Sequence, residues 1–165
     1  VVGITAGSGI VSTPTSGNYT ISQVLEQRAI TTATQASTVV TATNITGLGL
    51  PILAGKKYQF EAWLPYSSAA LTTGIALAHT AVTGNTWHTV SAQSTTTATQ
   101  ERRFLNNSLL FVSTATAATT GSVAYMEGRI EPTANTTFQL QFATEVTGSA
   151  ITLQPGCILI IREVF

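Results

Sequence analysis

The sequence predicts an all-β protein, an antiparallel β-sandwich of about eight strands, and three observations predict it. Short apolar runs recur along the 165 residues with turn chemistry between them. Threonine makes up roughly a fifth of the chain, and a β-branched residue at that level favours strands over helices. The closing stretch, residues 121–165, holds three apolar runs in succession, at 123–130, 138–143 and 158–164. In the middle run Phe138, Leu140 and Phe142 alternate with Gln139 and Gln141, the period of two of a strand with one wet face. The last run, Cys157-Ile158-Leu159-Ile160-Ile161, has no polar alternation and reads as a strand covered on both sides. The three are expected to pair in order, as the closing meander of the sandwich.

Taken from the N-terminus, residues 1–24 hold two short strand candidates around Gly7-Ser8-Gly9 and Pro14-Thr15-Ser16-Gly17-Asn18. A short helical turn is expected at 25–29, a strand at 37–43 and an irregular connection at 47–52. The clearest early strand is 58–64. Tyr58, Phe60, Ala62 and Leu64 share one face, and Gln59, Glu61 and Trp63 the other. A tryptophan on the polar face requires cover from elsewhere in the chain or from a neighbouring subunit. Residues 65–70 read as a loop, 73–80 as a strand, 87–92 as a strand within a polar section, 94–100 as an exposed low-complexity loop and 109–112 as a buried strand.

Composition narrows the function. Charged residues are 8% of the chain and hydrophobic ones 44%, against a usual charged share of about 25%. The formal net charge is zero and the seven Lys and Arg are scattered. Phosphate-backbone binding needs clustered cations, so no nucleic-acid partner is expected. No apolar run approaches a transmembrane length, and no membrane insertion is expected. All seven acidic residues are glutamate, which removes Asp-based calcium loops and Asp-oriented triads. The single Cys157 is expected to be a buried thiol. Residue 1 is Val and the only Met is Met126, so the chain is expected to be a fragment, a processed product or the ordered part of something longer.

Two stretches carry a resemblance. Ile4-Thr5-Ala6-Gly7-Ser8-Gly9-Ile10, a turn, then Asn18-Tyr19-Thr20-Ile21-Ser22 is similar to the short β-repeats in shafts and necks of bacteriophage fibre proteins. The longer order resembles a phage virion domain of fibre heads and capsid-decorating proteins. It runs from Tyr58-Gln59-Phe60-Glu61-Ala62 and Thr72-Thr73-Gly74-Ile75-Ala76-Leu77 through Ala124-Tyr125-Met126-Glu127-Gly128-Arg129-Ile130 to Pro155-Gly156-Cys157-Ile158-Leu159-Ile160. Gly156-Cys157 stands where that family has a Gly-Ser step. The resemblance implies a jelly-roll sandwich, a homotrimer and a place on the virion surface. Its implied partners are other virion proteins of capsid or tail, and host glycans. It divides the chain into a shaft- or neck-like segment, 1–24, and a head domain, 25–165.

Chemistry is scarce. His79 is expected at a strand end and His88 on a surface loop, and no ligand pair has zinc spacing, so no metal site is expected. Glycoside hydrolysis needs two carboxyls about 5–10 Å apart in a cleft, and nothing in the sequence brings two glutamates together. Glu127 and Arg129 share a strand face and are expected to form an ion pair. Gly7-Ser8-Gly9 is followed by no helix and is no phosphate loop. No catalytic residue and no cofactor are expected. Trp63, Tyr66 and Trp87 are the candidate surface or subunit-contact aromatics, able to stack on sugars or fill a chain–chain contact. The expectation is a non-enzymatic phage virion structural protein. The alternative is a carbohydrate-binding or adhesin module of a bacterial surface protein.

Overall fold

A computed structural model describes residues 10–15, 18–23, 26–93, 100–106, 111–113, 115–116 and 119–164. All regular structure among them is strand. The strands are β1 (Ile10–Thr15), β2 (Asn18–Gln23), β3 (Glu26–Ile30), β4 (Gln35–Ser37), β5 (Thr43–Ile52), β6 (Lys57–Ser68) and β7 (Ile75–His79). They continue as β8 (Gly84–Gln93), β9 (Gln100–Asn106), β10 (Phe111–Val112), β11 (Ser122–Pro132), β12 (Thr136–Thr144), β13 (Ile151–Leu153) and β14 (Ile158–Val164). β1 and β2 pair as a hairpin of their own, Ile10 opposite Gln23; the Gly7-Ser8-Gly9 motif lies outside the described residues.

The rest forms two antiparallel sheets, a jelly-roll-like sandwich. The smaller has the order β10-β7-β12-β5 and the larger β3-β14-β6-β11-β8-β9. β13 and β14 lie end to end along the same edge of β6, Leu153 opposite Tyr66 and Ile158 opposite Trp63. Residues 154–157 loop out between them opposite Pro65, whose missing N–H leaves the ladder a donor short. Gly156 takes φ +90° there, a left-handed value that glycine adopts without steric cost. Thr31 closes this loop: its N–H donates to the Cys157 carbonyl at 2.9 Å, and its hydroxyl accepts the Cys157 N–H at 3.1 Å.

The core sits between the two inner faces. β6 supplies Tyr58, Phe60, Ala62, Leu64 and Tyr66, every second residue, and all are buried. Phe138, Leu140 and Phe142 of β12 meet them from the smaller sheet, with Phe60 and Phe138 rings 4.7 Å apart. The alternation written in both strands is thus the inside and outside of a sandwich. Cys157 is buried as expected, its thiol donating to the Gln154 carbonyl at 3.2 Å, and burial pushes its pKa up.

Several expectations are corrected. The closing runs make no meander, because β12 belongs to the smaller sheet while β6 separates β11 from β14 in the larger. Residues 26–30 are an edge strand on β14 rather than a helical turn. The strand expected at 37–43 is absent: β4 ends at Ser37 and β5 starts at Thr43. Residues 47–52 are strand, not connection. β5 bulges opposite the step from Gln139 to Gln141, and the Gln139 amide fills the bulge by donating to the carbonyls of Ile45 and Leu48 at 2.8 and 2.9 Å. A Cβ on Gly49 would lie 2.3 Å from that amide oxygen, so a larger residue there would have to push the Gln139 amide out of the bulge. β6 runs on to Ser68 through the expected loop. β9 begins at Gln100, with 94–99 outside the described residues.

Candidate functional site

The side chains that β6 turns away from the core lie on the outer face of the larger sheet, and strand register arranges them in rows. One row reads Ile30, Ile158, Trp63, Tyr125 and Ser91 across β3, β14, β6, β11 and β8. The next reads Arg28, Ile160, Glu61, Glu127 and Thr89, and the third Glu26, Arg162, Gln59, Arg129 and Trp87. Sequence-distant residues thus become cross-strand neighbours, with Cβ atoms about 5 Å apart.

In the first row the Trp63 and Tyr125 rings meet edge to face, centroids 5.0 Å apart at 67°, an arrangement that sets the positive ring edge on the negative face. Trp63 nevertheless keeps 51% of its surface exposed, and Ile30 56%. The Tyr125 hydroxyl donates to Glu127 Oε2 at 2.7 Å. Burial first and that donation second push the Tyr125 pKa up to about 12.

The charges on this face are held in groups. Arg162 reaches Glu26 and Glu61, each at 2.7 Å, and Arg28 also bonds Glu26. Glu26 is consequently held below its ordinary pKa, by Arg162 first. Lys57 and Arg129 both approach Glu131, at 3.9 and 3.8 Å. The expected Glu127–Arg129 pair is therefore replaced: Arg129 turns to Glu131, and Glu127 takes the tyrosine. Register also does what the sequence did not foresee and sets Glu61 directly opposite Glu127. Like charges so placed repel; Arg162 on Glu61 and the Tyr125 hydroxyl on Glu127 offset that. Of the two carboxylates, only Glu127 lines a depression of this face.

A depression of about 310 Å³ opens in the third row, lined by Gln59, Trp87, Thr89, Glu127 and Arg129 with Gly128 and His88 at its base. Trp87 keeps 44% of its surface exposed. A second depression, also about 310 Å³, is lined by Ile30, residues 31–35, Thr46 and Gly47. It is rich in hydroxyls and carries no aromatic ring.

Of the three candidate aromatics, Trp63 and Trp87 lie on this face, in different rows. Tyr66 does not. It points into the core with no exposed surface, and burial pushes its pKa up to about 12, the Ser122 side chain acting in the opposite direction. Tyr66 therefore meets neither sugar nor subunit. His88 is corrected too. It lies inside the sandwich at 3% exposure, its ring 4.9 Å from that of His79 and 6.4 Å from Phe60. Among the described residues no group of three His, Cys or Glu is placed to hold a metal ion. Sequence reasoning missed Tyr125, Ile158 and Gln59 as surface partners of the two tryptophans; only strand register reveals them.

The fold and this face define an all-β sandwich of jelly-roll type with a partly apolar outer wall. No family model and no curated protein matches the chain. Solved structures with some likeness include the CBM22-1–GH10 modules of Clostridium thermocellum endo-1,4-beta-D-xylanase 10B complexed with xylohexaose, at 10% identity over 81% of this chain and 25% of that one, TM-score 0.30. Another is the VP2 subviral particle of infectious bursal disease virus, at 9% identity over 93% of this chain and 46% of that one, TM-score 0.26. The Gx strain of that virus follows at 10% identity, 92% and 40% coverage and TM-score 0.20. The chain spans less than half the length of each. With TM-scores this low, the fold stands on its own strand order.

Proposed function

We propose that the chain is a non-enzymatic structural module on the surface of a phage particle, a fibre or capsid-decoration domain that assembles as a homotrimer. One observation carries this reading, the partly exposed row Ile30–Ile158–Trp63–Tyr125 on the outer wall, in which Ile30 and Trp63 are exposed, with exposed Val123 beside it. An apolar and aromatic patch rimmed by polar groups is the chemistry of a protein contact. The flanking charges are already compensated on their own chain by Arg162 and Glu26, so a second copy meets the row without burying an unpaired ion. Other virion proteins, of capsid or tail, are the further partners.

Light scattering tests it: the purified chain gives about three times 17.2 kDa, and Trp63→Glu returns a folded monomer. A wild-type monomer at tens of micromolar, a concentration at which weak contacts of about 10 μM still form, overturns the assembly.

A second reading, a carbohydrate-binding module of a bacterial surface protein, is favoured by the Trp87 depression, where an exposed indole stands among groups able to bond hydroxyls. A monomer that binds sugar selects it over the first.

A further inference from the structure

We propose that the depression beside Trp87 is a binding site for a neutral pyranose sugar, an inference that rests on the carbohydrate-binding property and holds whether the module is borne by a particle or a cell. Trp87 is nearly half exposed at the β8 end of a row whose other members, Glu26, Arg162, Gln59 and Arg129, are all polar. An indole in that position offers a flat, electron-rich face, and the weakly positive C–H bonds of a pyranose stack on such a face. The depression, about 310 Å³, stands at the lower end of small-ligand sites, which hold about 300–1,000 Å³.

The polar lining has the donors and acceptors that sugar hydroxyls need. Arg129 stands directly opposite Trp87, and Gln59 directly beyond Arg129. Glu127 and Thr89 occupy the adjoining row, one opposite the other. A planar amide, a guanidinium and a carboxylate each bridge neighbouring hydroxyls through paired hydrogen bonds. Glu127 spends Oε2 on the Tyr125 hydroxyl, and a carboxylate has about four lone-pair sites, so acceptor capacity is left for a ligand.

Charge selects the class. Arg129 is shared with Glu131 at 3.8 Å and stands beside Glu127, so among its described residues the site presents no unneutralised cation. An acidic sugar would meet carboxylates there, and a nucleotide would find no cation for its phosphate. The site is also separate from the assembly row. Trp87 lies two strands and two rows from Trp63, about 10 Å across the sheet and about 13 Å along it. Contact through Trp63 and sugar at Trp87 are read by different variants.

The test uses the full chain and three methyl pyranosides (glucoside, mannoside, galactoside), with methyl sialoside as the charged comparator. Binding is read by saturation-transfer NMR and calorimetry. At least one neutral pyranoside should bind saturably with a Kd of about 1 mM. Trp87→Ala and Glu127→Gln should each weaken it by about tenfold or more, and Trp63→Ala should leave it unchanged. All three substituted positions lie on the outer face, so folding is checked by circular dichroism alone. Binding to the sialoside alone, or full affinity in Trp87→Ala, overturns this site and class while leaving a carbohydrate-binding module standing. No saturable binding to any of the four overturns both.

Discussion

His79 and His88 face each other across the sandwich, one from each sheet, with ring centroids 4.9 Å apart and planes at 74°. Phe60 and Phe138 complete the cluster, Phe138 lying 5.0 Å from His79. Neither ring nitrogen of His88 has a hydrogen-bond partner. Burial first, then the neighbouring His79, lowers the His88 pKa from 6.5 to about 4.

A depressed histidine pKa makes stability fall with acid. Above pH 6.5 His88 is neutral in folded and unfolded chains alike. Between pH 6.5 and about 4 the unfolded chain takes up a proton that the folded chain refuses, so unfolding is favoured progressively, by about 3 kcal/mol at the lower end. Urea unfolding followed across this window should show the loss, and His88→Leu should remove it. NMR of the His88 ring in the wild type gives a second check: the resonance should hold its neutral position down to about pH 5. A flat stability profile or a ring titrating near 6.5 would contradict the buried cluster.

Gly128 is the residue that lets β8 approach β11 at this cluster. It pairs with His88 on one side and Phe60 on the other. A Cβ added to it would lie 2.2 Å from the Trp87 carbonyl oxygen and 2.6 Å from the His88 Cβ. Neither is the tip of a flexible side chain, so the strands themselves must part. Gly128→Ala should therefore destabilise by about 2 kcal/mol or more, read as a lower urea midpoint with an unchanged slope. An unchanged midpoint would show that the strands yield without cost.

What was legible in the chain depended on whether the alternation kept its phase. β14 was visible from its unbroken apolar run, and the inner face of β6 from Tyr58, Phe60, Ala62 and Leu64. β5 was not, because its bulge shifts the phase and buries Ile45, Leu48, Leu50 and Ile52 at uneven spacing. β3 carries Glu26, Gln27, Arg28 and Ala29, good helix formers that edge pairing with β14 overrides. Pro65 resembled a loop start, and so Tyr66 looked external. In β8 the period of two demanded that Trp87 or His88 face inward, and the histidine, not the larger apolar ring, does so. The outer-face rows join residues more than 60 positions apart, such as Trp63 and Tyr125, which no local pattern encodes.

Glu163 is buried at the end of β14, and its carboxylate is held by the exposed Lys56 at 2.8 Å. That bond raises the Lys56 pKa, ahead of the Coulombic attraction of the same glutamate. Removing one partner strands a buried charge, whereas removing both does not. Lys56→Met should accordingly lower Tm more than the double change Lys56→Met with Glu163→Gln does. Thermal unfolding of the single and double variants at neutral pH decides it; equal losses would show that Glu163 is solvated without the lysine.

The end of the chain is structural in a way that deletion should expose. β14 is paired along both edges, with β3 through Ile158–Arg162 and with β6 through Ile158–Val164. Deleting residues 160–165 leaves only Ile158 and Leu159 of that strand, so Glu26, Gln27 and Arg28 lose their ladder partners. Ile161 leaves the core, Arg162 abandons Glu26 and Glu61, and Glu163 abandons Lys56. Loss of one buried Ile side chain alone costs about 2–5 kcal/mol, against a total stability of about 5–15 kcal/mol for a domain of ordinary stability. Ladder and core losses fall together here, and they uncover one edge of β6 in the middle of the larger sheet. The truncated chain should be insoluble, or soluble with no cooperative thermal transition. A soluble product of native hydrodynamic size that unfolds cooperatively would show that β3 and β6 close the sheet without β14.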